Sequence, residues 1–220
     1  MTSGFFYGTL MHPKILKRVL NNDASHLSIC PAILTGYTRH KIKIADYPAI
    51  LPYERSRKLF ERELTPEDKS VRGTLVNGLT NRDVALLDIF EGNAPKFTYF
   101  VAQRFWEQEY IRSGVFVHPL SPFTPVPADA ETSDAIEGNL IPADLPPLPS
   151  ANELAHTIPA QTYVWCQDDD DLDKELWSFE EFVRNNAWKW IDEGKKDEEH
   201  YGEVDRVQER LRGEIIPDRI

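Results

Sequence analysis

The 220-residue chain sets 25 lysines and arginines against 36 aspartates and glutamates, for a formal net charge of −11, and its hydrophobic fraction is 41%. That length is ample for one buried core, alone or with an appendage, and two full domains are not expected. The acidic balance repels the phosphates of nucleic acid and the anionic face of membranes, so neither is an expected partner.

From the N-terminus, Phe5-Phe6-Tyr7 reads as a short aromatic strand that Gly8 and Thr9 break. Pro13 suits a first helical position, and Ile15, Leu16, Val19 and Leu20 recur on one helix face, so the unit is a strand, a tight turn and a helix. Ala32 to Ile44 is rich in β-branched and aromatic residues, with polar positions alternating in its second half, and is predicted as one strand ended by Tyr47-Pro48. Its basic stretch, Arg39 to Lys43, is expected to be a solvated strand face, and Arg55 to Lys58 a solvated turn.

The charged run from Arg55 to Ser70 is predicted as a loop, and Val71 to Val76 as the next strand, with Gly73 allowing a close backbone approach. Thr80-Asn81-Arg82-Asp83 fits a capping box. Val84, Leu86, Leu87 and Phe90 supply the apolar side of the helix that follows, and Gly92 is placed to end it. An aromatic strand is predicted through Tyr99 to Trp106.

Between Pro119 and Pro159 lie nine of the sixteen prolines, set among acidic and small residues. This segment is predicted as an inserted loop outside the compact core, open to a role as a lid, a partner site or plain disorder. Gln161 to Cys166 alternates like a strand, and Asp168 to Asp171 reads as a solvated turn. Leu176, Phe179, Phe182 and Val183 recur at helical spacing and predict a helix packed on the body, while Gly202 to Ile220 is expected to be a peripheral helix. The expected organisation is a domain over residues 1–166, with the insertion at about 119–159, and a C-terminal helical extension over residues 167–220.

Cys30 and Cys166 form neither a Cys-x-x-Cys pair nor a disulfide framework and are expected to be buried apolar groups. The six histidines are scattered, so neither a structural metal nor a cofactor is expected. The first residues lack the charged leader and apolar core of a secretory signal, and no stretch approaches the roughly 20 apolar residues of a membrane span. The expected address is cytosolic or nuclear, with the cytoplasm as the default.

Two features carry possible chemistry. In Tyr7-Gly8-Thr9-Leu10 a glycine between strand and helix lets consecutive N–H groups point into one hollow, a site for a carboxylate or phosphate. A tight turn that needs glycine only for its geometry accounts for the same residues. Glu91 sits at the carboxyl end of a predicted helix, where the helix dipole disfavours its ionised form and burial would raise its pKa further. A carboxyl so tuned exchanges protons near neutrality, whereas the plainer alternative is a solvated glutamate.

Taken together, Tyr7-Gly8-Thr9-Leu10, Tyr47-Pro48-Ala49-Ile50, Val71-Arg72-Gly73-Thr74-Leu75 and Leu87-Asp88-Ile89-Phe90-Glu91-Gly92 resemble the γ-glutamyl cyclotransferase-like family, and within it the AIG2-like members. The resemblance covers roughly residues 4 to 118, returns in Thr162-Tyr163-Val164-Trp165 and extends to Trp177 and Phe179 to Phe182. It implies an α+β fold, a small mixed β-barrel with peripheral helices, and a cavity bounded by the Tyr7 to Leu10 turn and Glu91.

The implied reaction is cyclisation of a γ-glutamyl amide to 5-oxoproline with release of a free amine. Glu91 would be the catalytic acid/base, and Tyr7, Gly8, Thr9 and Leu10 the substrate-binding residues. The implied partner is a small-molecule γ-glutamyl substrate. One departure bears on substrate choice: the family's tyrosine, with an arginine two residues on, usually follows the glutamate closely, whereas here Tyr99 is followed by Phe100 and Val101 and the first arginine is Arg104. Two alternatives stay open. One is a member of the fold that binds a small anion or a protein without chemistry, and the other is an enzyme that transfers or hydrolyses a different γ-glutamyl-like amide.

Overall fold

Side chains alternate between two apolar clusters along the central strands, which fits a sheet that closes on itself. The computed structural model describes residues 2–43, 45–91, 109–126, 146–150, 152–154 and 156–191. Five strands close in the order β5-β1-β8-β6-β2 and back to β5: β1 (Thr2–Phe6), β2 (Ser28–Thr35), β5 (Ser70–Leu79), β6 (Tyr110–Pro119) and β8 (Ile158–Trp165). β1 runs parallel to β8 and the other neighbours are antiparallel, so the barrel is mixed. The expected α+β barrel with peripheral helices is the observed architecture.

Phe5, Cys30, Ala32, Val71, Leu75 and Val117 belong to one apolar cluster, while their neighbours Phe6 and Val76 belong to the other, which also takes in α1 (Pro13–Leu20), α3 (Asn81–Phe90) and the C-terminal helices. In α1 the four residues Ile15, Leu16, Val19 and Leu20 are all buried, as their spacing predicts. Each such side chain contributes about 1.5–3 kcal/mol by leaving water. Pro13 is its first residue, and the His12 Nδ1 accepts the Lys14 N–H at 3.2 Å to cap it.

The predicted Ala32 to Ile44 strand is two strands. Gly36 takes φ +77°, a left-handed conformation glycine adopts without penalty, and the chain turns there from β2 into β3 (Tyr37–Ile42). β3 lies between β4 (Pro48–Pro52) and β9 (Leu172–Leu176) in a second, three-stranded sheet. Pro48 therefore begins a strand. Alternation is read only in the second half of the segment, beyond Gly36, and the turn itself is a matter of one backbone angle.

The basic strand face divides. Lys43 is exposed and Lys41 pairs with Glu175 at 3.3 Å, as a solvated face would, yet Arg39 turns inward. The expected solvated turn at Arg55 contains a helical turn, α2 (Tyr53–Ser56), and Arg55 donates to the Gln167 carbonyl at 2.9 Å and pairs with Asp169. Cys30 is buried and Cys166 only half-buried.

Pro119 closes β6 and Ile158 opens β8, near the expected edges of the insertion. Its first residues nevertheless belong to the barrel, because β7 (Thr124–Pro125) pairs with Ser28 and Ile29 and Val126 is buried. After β8, Asp169–Asp171 form a 3-10 turn and Leu176 ends a strand, so the helical stripe begins only at α4 (Phe179–Asn185), which Ser178 caps, and continues in α5 (Ala187–Ile191). The predicted strand at Tyr99 to Trp106, the helix stop at Gly92 and the terminal helix at Gly202 to Ile220 lie outside the described residues.

Candidate functional site

The turn after β1 and the end of α3 meet around a group of tyrosines. Tyr7 leaves the strand with its ring buried, and its hydroxyl donates to the Tyr163 carbonyl at 2.6 Å. A Cβ on Gly8 would stand 2.8 Å from both Cγ and Cδ of Pro48, so the turn lies flush against the Tyr47-Pro48 corner and needs glycine for that contact. Thr9–Met11 then form one 3-10 turn ahead of α1. The Thr9 and Leu10 side chains are buried, leaving their backbone as what they can offer a ligand. Among the described residues the N–H groups of Gly8, Thr9 and Leu10 have no hydrogen-bond partner.

The second part of the site is the end of α3. The capping box starts the helix as the sequence predicts, with the Thr80 side chain receiving the Asp83 N–H at 3.2 Å and Asp83 receiving the Thr80 N–H at 2.9 Å. Leu86, Leu87 and Phe90 anchor it in the core, and Glu91 is its last capping residue, with its N–H on the Leu87 carbonyl at 3.0 Å. Glu91 keeps partial access to solvent. Its carboxyl has no hydrogen-bond or ion-pair partner among the described residues.

Desolvation by the surrounding protein, then the charges of Glu109 and Asp88, push the Glu91 carboxyl up to about 8. Burial first, and the Glu91 charge among the further causes, raise the phenols of Tyr7, Tyr110 and Tyr163 in turn. These tyrosines are held in place: Tyr110 donates to the Pro48 carbonyl at 3.0 Å and Tyr163 to Asp88 Oδ1 at 3.0 Å. Asp88 also pairs with Arg112 at 3.3 Å, while Tyr47 donates to Glu109 Oε2 at 3.1 Å.

Arg39 braces the turn from behind. Its Nη1 donates to the Tyr7 carbonyl at 2.8 Å and the Arg72 carbonyl at 3.2 Å, and its guanidinium stacks on Trp177 at 5.0 Å. Burial lowers the guanidinium to about 10. Trp190 of α5 stands edge-on to both Tyr47 and Phe90, so residues beyond 166 reach both the Tyr47-Pro48 corner and the end of α3.

All five sequence-predicted residues thus come to one end of the barrel, and the Glu91 charge reaches Tyr7. Sequence reasoning missed Arg39, Tyr110 and Glu109 as neighbours of this site. Tyr47 and Tyr163 lay within quoted motifs without a role. Arg39 was hidden by its basic surroundings, and Glu109 and Tyr110 by the absence of any motif at the start of β6. Tyr99 and Arg104 lie outside the described residues. Among the described residues no group of three or more His, Cys, Asp or Glu is arranged to hold a metal, and no helix is long and apolar enough to cross a membrane.

An acid whose pKa is about 8 when folded, against an ordinary 4.5, carries a definite pH signature. Below about 4.5 both states hold the proton and the group has no effect. As pH rises from there to about 8 the unfolded chain ionises first, so the contribution of Glu91 to stability falls, and above about 8 the full cost is present. We expect the 13C resonance of the Glu91 carboxyl to titrate with a midpoint near 8, and Glu91→Gln to flatten part of the decline in stability across that window. A midpoint in the ordinary carboxylate range would show that the site does not desolvate Glu91.

Comparison with known proteins adds to this geometry. The family model described as gamma-glutamyl cyclotransferase, AIG2-like, matches residues 4–119. AIG2-like protein C of Arabidopsis thaliana is 25% identical over 193 residues, covering 87% of this chain and 75% of that protein. Protein AIG2 C of the same plant is 27% identical over 89 residues, 40% of this chain and 44% of its own length. An Arabidopsis thaliana protein solved in solution superposes with a TM-score of 0.47 at 20% identity, covering 98% of this chain and 85% of its own. A glutathione-specific γ-glutamyl cyclotransferase from yeast gives 0.44 at 14%, covering 96% of each chain.

Proposed function

This chain belongs to the AIG2-like γ-glutamyl cyclotransferase family, and on that premise we propose that it cyclises a γ-glutamyl amide to 5-oxoproline, releasing a free amine, with Glu91 as the proton shuttle. The observation that carries the reading is a partly accessible, desolvated carboxyl near a turn with consecutive N–H groups, neither of which has a polar partner among the described residues.

The substrate brings its own nucleophile, so the protein must orient it and move one proton. The α-carboxylate of the glutamyl group sits against the N–H groups of Gly8 to Leu10. Ionised Glu91 takes a proton from the α-amine, which then attacks the γ-carbonyl carbon. As the new C–N bond closes the five-membered ring, the bond to the outgoing nitrogen breaks and that nitrogen receives the proton from Glu91. Nothing is oxidised or reduced, and no covalent enzyme intermediate forms.

The test is incubation with a panel of γ-glutamyl dipeptides, γ-glutamylamines and glutathione while 5-oxoproline is quantified. Production from at least one class supports the proposal, and its absence from all of them, with the protein folded, contradicts it. A separate expectation concerns the turn: saturating 5-oxoproline should shift the amide resonances of Gly8, Thr9 and Leu10 more than those elsewhere. Binding that leaves these amides unmoved would assign the carboxylate to another place.

A further inference from the structure

Among the described residues the charges around Glu91 do not balance. Asp88 is committed, with Arg112 at 3.3 Å and the Tyr163 hydroxyl at 3.0 Å. Arg39 spends its Nη1 on the Tyr7 and Arg72 carbonyls. Glu109 has the Tyr47 hydroxyl on Oε2 at 3.1 Å, no cation, and no partner for Oε1 among the described residues.

Its location is fixed from two sides. The Glu109 carbonyl accepts the Cys166 N–H at 2.9 Å at the head of the β6–β8 ladder. Tyr47, which holds the carboxylate, precedes Pro48, and Pro48 packs against Gly8. Glu109 thus hangs from the same corner that shapes the turn, and its charge acts on both Glu91 and Tyr110. The phenols of Tyr7, Tyr110 and Tyr163, which share this region, carry no charge near neutrality.

We propose that Glu109 is a substrate-binding residue of this site, receiving the α-ammonium of a γ-glutamyl compound on its free Oε1 while Tyr47 holds Oε2. This rests on the function proposed above and extends it to how the reacting nitrogen is placed. A γ-glutamyl group carries an ammonium and a carboxylate on one carbon. The free N–H groups of the Gly8 to Leu10 turn complement the second, and an unneutralised carboxylate complements the first. The ammonium docks on Glu109 and gives one proton to Glu91; as the lactam closes the nitrogen gives up a second, and the outgoing amine takes up both and leaves as its ammonium, so one acid positions the nitrogen and the other moves protons.

The two roles separate in a binding experiment that needs no turnover. In a Glu91→Gln background, calorimetry compares L-glutamine, the simplest γ-amide with an α-ammonium, with glutaramic acid, which differs only by lacking it. We expect L-glutamine to bind roughly tenfold to a hundredfold more tightly, the range of a hydrogen bond to a charged group, and Glu91→Gln/Glu109→Gln to erase that preference while leaving glutaramic acid affinity in place. In the otherwise unaltered protein, Glu109→Gln should also lower the Glu91 titration midpoint, because a like charge has gone.

A preference that survives Glu109→Gln overturns the proposal, and so does an equal loss of both ligands, which would make Glu109 only a support for the corner. If neither ligand binds and no γ-glutamyl compound yields 5-oxoproline, this proposal and the function beneath it fall together. If 5-oxoproline forms but the preference is absent or insensitive to Glu109, only this one falls.

Discussion

Glu91→Gln is expected to reduce the rate of 5-oxoproline formation by on the order of a hundredfold to ten-thousandfold while leaving the fold intact. The rate loss is the usual worth of a positioned proton shuttle. The fold should survive because the carboxyl, with its pKa of about 8, is largely protonated at neutral pH. A neutral amide of nearly the same shape therefore replaces a group that was already mostly neutral in the folded state. No salt bridge is lost, since none is made to a described residue. Single-turnover measurement of 5-oxoproline, with circular dichroism as the control for folding, reads both halves of the expectation. Near wild-type turnover by a folded variant would remove Glu91 from the chemistry.

Gly73→Ala is expected to be the most damaging single methyl in the barrel. Gly73 faces Ala32 across the β2–β5 ladder, and its neighbour Thr74 pairs with Phe6 of β1. A Cβ there would lie 2.6 Å from Phe5 Cζ and 2.7 Å from Phe5 Cε2, and closer still to the Phe6 carbonyl oxygen. The ring is fully buried and the oxygen is backbone, so neither has free space to move into. Strands β1 and β5 must part instead. Overpacking of this kind costs about 3 kcal/mol at the upper end of the usual range. For a chain of this size that is a fall in Tm of roughly 6–12 °C. Gly114→Ala is the control, because its Cβ would meet only the end of the Gln161 side chain at 3.7 Å, and its Tm should change little. Equal behaviour of the two variants would show that β1 and β5 do not approach as closely as the structure has them.

How much of this was legible in the sequence depended on how local its cause was. The capping box at Thr80, the apolar face of α1 and the special place of Gly73 each depend on a few neighbouring residues, and each was read correctly. The break at Gly36 was lost because β-favouring residues run unbroken from β2 into β3, and only one positive φ marks where the chain passes from one sheet to the other.

At the site, Tyr7 to Leu10 and Glu91 announced themselves through turn and helix-end chemistry. Glu109 and Arg39 did not, because their surroundings are assembled from distant parts of the chain. Tyr47 and Glu109 are 62 positions apart, and Arg39 reaches Tyr7 across 32. Nothing around Arg39 in the sequence distinguishes it from Lys41 or Lys43, yet the fold puts Trp177 beneath it and a carbonyl in front of it.

The central claim is that the substrate's own amine, and not water, displaces the amine from the γ-carbonyl. Turnover of a γ-glutamyl compound in water enriched in 18O, followed by mass spectrometry of the glutamyl product, tests this most directly. Cyclisation forms its new bond to nitrogen and leaves the carbonyl oxygen untouched, so the account predicts 5-oxoproline without 18O and an equal amount of free amine. Glutamate carrying 18O in its γ-carboxyl as the first product would mean that water is the nucleophile, and the proposed reaction would be wrong.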